Sequence, residues 1–130
     1  MIIWTNGCFD ILHKGHIGLF KYAKSLGSKL YVGIDSDEKV KKDKGSNRPF
    51  NTAQDRREVL ESIKYIDAVF EFNSTEGLEA LVDIVGATKL VIGSDWKGKT
   101  VIGEQYVEEV VFFDRIEGYS TTEILEWKNQ

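Results

Sequence analysis

The stretch Thr5-Asn6-Gly7-Cys8-Phe9-Asp10-Ile11-Leu12-His13-Lys14-Gly15-His16 decides the fold. It leaves a short apolar run, Ile2-Ile3-Trp4, and ends where apolar residues begin to recur at helical spacing, so it reads as a strand-to-helix turn. A turn that carries Gly7, Gly15, Asp10 and both histidines of the chain suits an anion. The glycines allow close approach of the backbone, and the helix that follows offers free N–H groups and the positive end of its dipole. If that helix begins near His13, His13 and His16 project from neighbouring positions on one face. Three readings of the pair compete: helix caps, metal ligands and phosphate donors. Zinc normally takes three or four protein ligands, and the chain has no further His and one Cys, which weakens the metal reading although carboxylates can complete a site. Phosphate donation is the favoured reading.

Outward from this turn, short β-branched or aromatic runs at residues 2–4, 30–34, 68–72, 90–92 and 110–113 read as strands. Stretches with helical spacing at 17–26, 52–65, 75–85 and 121–127 lie between and after them. Thr52 with Asp55, and Ser120 with Glu123, mark two helix starts. Such alternation predicts one α/β domain over residues 1–130: a five-stranded parallel sheet with helices on both faces and ligands at the carboxyl ends of the strands. The polar stretch 38–47, ahead of the single proline Pro49, is expected to be a mobile surface loop. Neither Gly-x-Gly-x-x-Gly nor a Gly-x-x-x-x-Gly-Lys-Ser/Thr run occurs, which argues against hydride transfer and against a P-loop.

Composition narrows the partners. The chain has 130 residues, 42% of them hydrophobic, enough for one core, and a net charge of −4 gives no general attraction to nucleic acid despite 17 Lys and Arg. Cys8 alone forms no intramolecular disulfide, and the opening residues lack the pattern of a signal peptide, so a cytoplasmic location is expected. No apolar run approaches the roughly 20 residues of a membrane span, and no membrane partner is expected.

Gly7-Cys8-Phe9-Asp10 followed by His13-Lys14-Gly15-His16 resembles the signature of the cytidylyltransferase-like superfamily, whose His-x-Gly-His motif binds the triphosphate of the incoming nucleotide. The resemblance implies a Rossmann-like fold, His13 and His16 as catalytic groups on the triphosphate, and Gly7, Cys8, Phe9, Asp10 and Gly15 as nucleotide contacts. A second block, Arg115-Ile116-Glu117-Gly118-Tyr119-Ser120-Thr121-Thr122, also reads as a turn into a helix. Its hydroxyls either cap that helix or meet an anion. In the family the Ser-Thr-Thr segment contacts the triphosphate, which implies that role for Ser120, Thr121 and Thr122. Arg115 resembles an arginine that meets phosphate in glycerol-3-phosphate cytidylyltransferases; otherwise it is a surface cation. Lys44-Gly45-Ser46-Asn47-Arg48-Pro49 resembles the Lys-Gly-x-x-Arg-Pro of adenylyltransferases that make ADP-heptose. It implies Lys44 near the reacting phosphates, with Arg48 and Arg56 on the substrate, although Arg56 has Asp55 and Glu58 as alternative partners. Gly93-Ser94-Asp95-Trp96 is similar to the family's Gly-x-Asp-Trp loop and implies nucleotide contacts at Gly93, Asp95 and Trp96.

The reaction implied is attack by an acceptor's phosphate oxygen on the α-phosphorus of a nucleoside triphosphate, with pyrophosphate leaving and Mg2+ bridging the phosphates. No protein ligand of the metal is identified. ATP with a sugar (heptose) 1-phosphate is preferred over CTP with glycerol 3-phosphate. Either product is a precursor of cell-surface polysaccharide. A nucleotide-binding regulatory module without turnover is the alternative of another class, a metal-binding interaction domain is a third, and family habit implies a homodimer.

Overall fold

Ile3 and Trp4 are both sealed from solvent although neighbouring side chains on a strand point to opposite faces, so this strand needs cover on both sides. The computed structural model describes residues 1–114. They form β1 (Ile2–Gly7), α1 (Lys14–Ser25), β2 (Lys29–Asp35), α2 (Asp37–Lys44), α3 (Ala53–Glu61), β3 (Ala68–Phe72), α4 (Thr75–Ile84), β4 (Lys89–Gly93) and β5 (Glu109–Phe113). The strands make a parallel sheet in the order β3-β2-β1-β4-β5, as the alternation of elements predicts. The expected helix 121–127, the Ser120/Glu123 capping pair and the expected site residues Arg115, Ser120, Thr121 and Thr122 lie outside the described residues.

The two faces have separate cores. Ile3, Leu30, Val32, Ile34, Val69 and Val91 pack with Phe20 and Ala23 of α1 and with Ala53 and Leu60 of α3. On the other face Trp4, Phe72 and Leu90 pack with Leu78 and Val82 of α4 and with Val101. Chain path explains this division. Successive steps from β1 to β2 to β3 run one way along the sheet and the step from β3 to β4 runs back, so right-handed crossovers place α1 and α3 on one face and α4 on the other. Gly33 in β2 is required by packing, since a Cβ there would lie 2.4 Å from Cζ2 of Trp4.

The expectation of a loop over 38–47 is corrected: Asp37–Lys44 is helical. Ser36 Oγ accepts from the Lys39 N–H at 3.1 Å, Asp37 and Glu38 occupy the first turn, and Lys41, Lys42 and Lys44 the last, so charge follows the helix dipole at both ends. Lys39 also pairs with Asp35 and Asp43, four residues away on each side. Val40 is the helix's one buried residue, too few to give an apolar period. The expected Thr52 cap is present, its Oγ1 accepting from the Asp55 N–H at 3.2 Å.

Candidate active site

β1 and β4 are adjacent but pair only at Ile3↔Lys89 and Trp4↔Leu90, whereas β1 pairs with β2 from Ile2 to Gly7. Past Trp4 the two strands separate, at the point where the strand order reverses, the usual ligand position in an open α/β sheet. A cavity of about 470 Å³ opens there. Asn6 and Gly7 of β1 and Cys8 just after it line the cavity, with Asp35, Lys39, Asp43 and Lys44 from β2 and α2, and Gly93 of β4 with Asp95 and Trp96 from the turn that follows. Phe72, Leu78, Ile92, Val101 and Ile102 supply an apolar wall. The size and mixed lining suit a small polar ligand with a flat apolar part. Oδ1 of Asp95 folds back over Gly93, 2.6 Å from where a Cβ would stand.

His13 and His16 start α1 as a reciprocal capping pair. Nδ1 of His13 accepts from the Gly15 N–H at 3.1 Å, and Nδ1 of His16 accepts from the His13 N–H at 3.2 Å. The rings lie 3.9 Å apart between centroids, and the edge of Phe9 meets His16 at 5.6 Å. Burial, and then repulsion from His13, push the His16 pKa down from 6.5 to about 4. A neutral imidazole whose Nδ1 accepts carries its proton on Nε2, so each ring in that form keeps one donor not used by the cap. Capping and phosphate donation therefore use different nitrogens of the same residues.

The turn between β1 and α1 is held by contacts that the sequence pattern does not display. Phe9 adopts φ 50°, and its buried ring packs on Phe20 at 5.2 Å. A Cβ on Gly7 would come within 3.2 Å of that ring. The buried Asp10 carboxylate accepts from the N–H groups of Phe50 at 2.8 Å and Asn51 at 2.7 Å, while Arg48 Nε approaches it at 3.5 Å. Arg56 is 2% exposed. Its guanidinium donates to the carbonyls of Asn51, Cys8 and Asp35 at 3.1, 2.9 and 2.8 Å and to Asp37 Oδ1 at 2.9 Å. Asp37 also accepts from the Ala53 N–H at 2.8 Å. These bonds lash the ends of β1 and β2, the start of α3 and the 48–51 loop into one frame around the cavity.

The cytidylyltransferase-like family model matches residues 4–127. The chain belongs to the cytidylyltransferase-like family. It is a nucleotidyltransferase, and its relatives include proteins named bifunctional protein HldE. One from Nitratiruptor sp. is 46% identical over 125 residues, and one from Campylobacter fetus is 43% identical over 124 residues, covering 96% and 95% of this chain. The chain spans about a quarter of their length, 27% in both. In fold it resembles the lipopolysaccharide core biosynthesis protein from Thermoplasma volcanium. The TM-score is 0.72 at 21% identity, over 89% of this chain and 98% of that one.

Of the residues that the family signature implicates, the cavity gathers Gly7, Cys8, Lys44, Gly93, Asp95 and Trp96. His13, Gly15 and His16 stand at the start of α1 and do not line it. Phe9 serves the core, Asp10 anchors the 48–51 loop, and Arg56 is buried and consumed by protein acceptors, pairing with Asp37 rather than Asp55 or Glu58. Arg48 faces Asp10. Burial raises the Cys8 thiol pKa against the lowering pull of Lys44 and Arg56. Asn6, Asp35, Lys39 and Asp43 also line the cavity; Lys39 and Asp43 belong to the polar stretch 38–47, where the sequence signal is a run of charge. Among the described residues no group of three or more His, Cys, Asp or Glu is placed to hold a metal ion, and no helix is long and apolar enough to cross a membrane.

Proposed function

We propose that the chain transfers AMP from ATP to a sugar 1-phosphate, a heptose 1-phosphate, giving an ADP-sugar and pyrophosphate. The observation that carries this reading is the placement of Lys44 in the cavity at the head of Lys44-Gly45-Ser46-Asn47-Arg48-Pro49, the stretch resembling ADP-heptose-forming adenylyltransferases, with the loop behind it bonded to Asp10 of the β1 turn. Similarity to the HldE relatives over nearly the whole chain supports it.

In this mechanism an oxygen of the acceptor phosphate forms a bond to the α-phosphorus as the bond to the β-phosphate's bridging oxygen breaks. The acceptor is ionised at neutral pH, so the residues need only align two anions and stabilise the charge that builds on the leaving group. The Nε2–H groups of His13 and His16 donate to the triphosphate and Lys44 neutralises charge at the reacting phosphates. Asp95, which lines the cavity, would offer one carboxylate to a Mg2+ ion bound with the triphosphate. Charge neutralisation across the triphosphate is what that ion would supply.

The test is pyrophosphate release with Mg2+ over a grid of ATP, CTP, GTP and UTP against heptose 1-phosphate, other sugar 1-phosphates and glycerol 3-phosphate. Release confined to ATP with a sugar 1-phosphate is expected. CTP with glycerol 3-phosphate would replace this reading by the glycerol-3-phosphate cytidylyltransferase reading that Arg115 resembles. Nucleotide binding with silence across the whole grid would favour a regulatory module.

A further inference from the structure

We propose that Asp35, Lys39 and Asp43 form the wall that recognises the acceptor's hydroxyl groups, extending the acceptor site from the main cavity into a second, polar one. This rests on the sugar-phosphate reading given above. Lys39 Nζ lies 3.1 Å from Asp35 Oδ2 and 2.7 Å from Asp43 Oδ2. All three residues line the main cavity together with Lys44. Lys39 and Asp43 also line a neighbouring cavity of about 350 Å³ with Lys42, Asn73, Ser74 and Thr75. That second space has no aliphatic or aromatic lining, so it offers nothing for a base to stack on and many partners for hydroxyls.

The pairing with Lys39 gives the wall its direction. One oxygen of each carboxylate is held by the ammonium, leaving the other as an acceptor for an O–H group in a charge-assisted bond. Ion pairs spaced four residues apart usually lie in solvent, but here the side chains of Lys39 and Asp35 are only 20% and 16% exposed. Lys39 is held between two carboxylates while Lys44 lines the same cavity, so the acceptor's phosphate is placed at Lys44 with its hydroxyls toward Asp35 and Asp43.

The variants Asp35→Asn and Asp43→Asn keep shape and remove charge. Glu38→Gln, an exposed carboxylate on the same helix that lines neither cavity, is the control. KM is measured for the sugar 1-phosphate, for a deoxy analogue of it and for the nucleotide, with a thermal melt of each protein. The expected result is a rise of about tenfold in KM for the full sugar phosphate, a rise below about twofold for an analogue lacking the hydroxyl concerned, and no change for the nucleotide. A KM for the sugar phosphate in both variants within about twofold of Glu38→Gln overturns the proposal, as does a matching rise for the nucleotide. Asp43, the more exposed of the two, keeps the test open should Asp35→Asn fail to fold. Wild-type protein that is silent with every sugar phosphate removes the substrate reading itself; an active wild type with unaffected variants removes this inference alone.

Discussion

Substituting His16→Gln separates the two jobs assigned to that histidine. His16 is the third residue of α1 and its Nδ1 accepts from the His13 N–H, the position where a glutamine commonly reaches back in a capping box. The variant therefore keeps the cap and loses both the titration and the Nε2–H donor. Because the folded-state pKa of His16 is pushed from 6.5 down to about 4, the folded protein binds fewer protons than the unfolded chain between those values. This contribution to stability is complete above pH 6.5 and is lost as pH falls toward 4. At about 1.4 kcal/mol per pH unit, reduced because water reaches part of the ring, the loss down to pH 4.5 comes to about 2 kcal/mol. Urea unfolding at pH 7 and at pH 4.5 should show this loss in the wild type and not in His16→Gln, the carboxylates common to both proteins cancelling in the comparison. Ring-proton NMR should give a His16 midpoint near 4, and turnover of the variant should fall about a hundred- to a thousandfold. An unchanged pH slope in the variant, or a wild-type midpoint near 6.5, would refute the account of His16 as a neutral, half-buried cap; unchanged turnover would remove its Nε2–H from the reaction.

Arg56→Met should destabilise the protein by about 3 kcal/mol, since it strips three main-chain carbonyls and Asp37 of their donor. A guanidinium midpoint that moves by less than the equivalent of about 1 kcal/mol would show that the frame does not depend on this fork. Gly33→Ala should cost about 2 kcal/mol or more by driving a methyl into the Trp4 indole, and an unchanged melting temperature would contradict the packing described. Lys44→Ala should lower kcat/KM about a hundredfold while Lys41→Ala, on the exposed side of α2, stays within about twofold; equal effects in steady-state kinetics would take Lys44 out of the site.

The strands were legible because each is a short β-branched or aromatic run, and the β1 turn because two glycines and both histidines of the chain fall together between a strand and a helix. α2 was hidden for the opposite reason. It is a polar helix held by a serine cap, by charge matched to its dipole and by Lys39 between two aspartates, with Val40 alone turned inward. The protein partners of Asp10 and Arg56 were not legible because residue type announces an anion or a cation but not its partner. Asp10 bonds to N–H groups 40 and 41 residues away, and Arg56 reaches Cys8 across 48. The same blindness hid Asp35, Lys39 and Asp43, which become cavity wall only once β2 delivers α2 to the mouth of the sheet.

The two-rung pairing of β1 with β4 has an evolutionary side. Beyond Trp4 and Leu90 the facing edges of these strands are not bonded to one another, so their peptide groups border the binding space directly. Recognition through peptide groups is indifferent to which side chain hangs from them. A lineage can therefore exchange Asn6 or Ile92 as its substrates diverge and inherit this part of the contact unaltered.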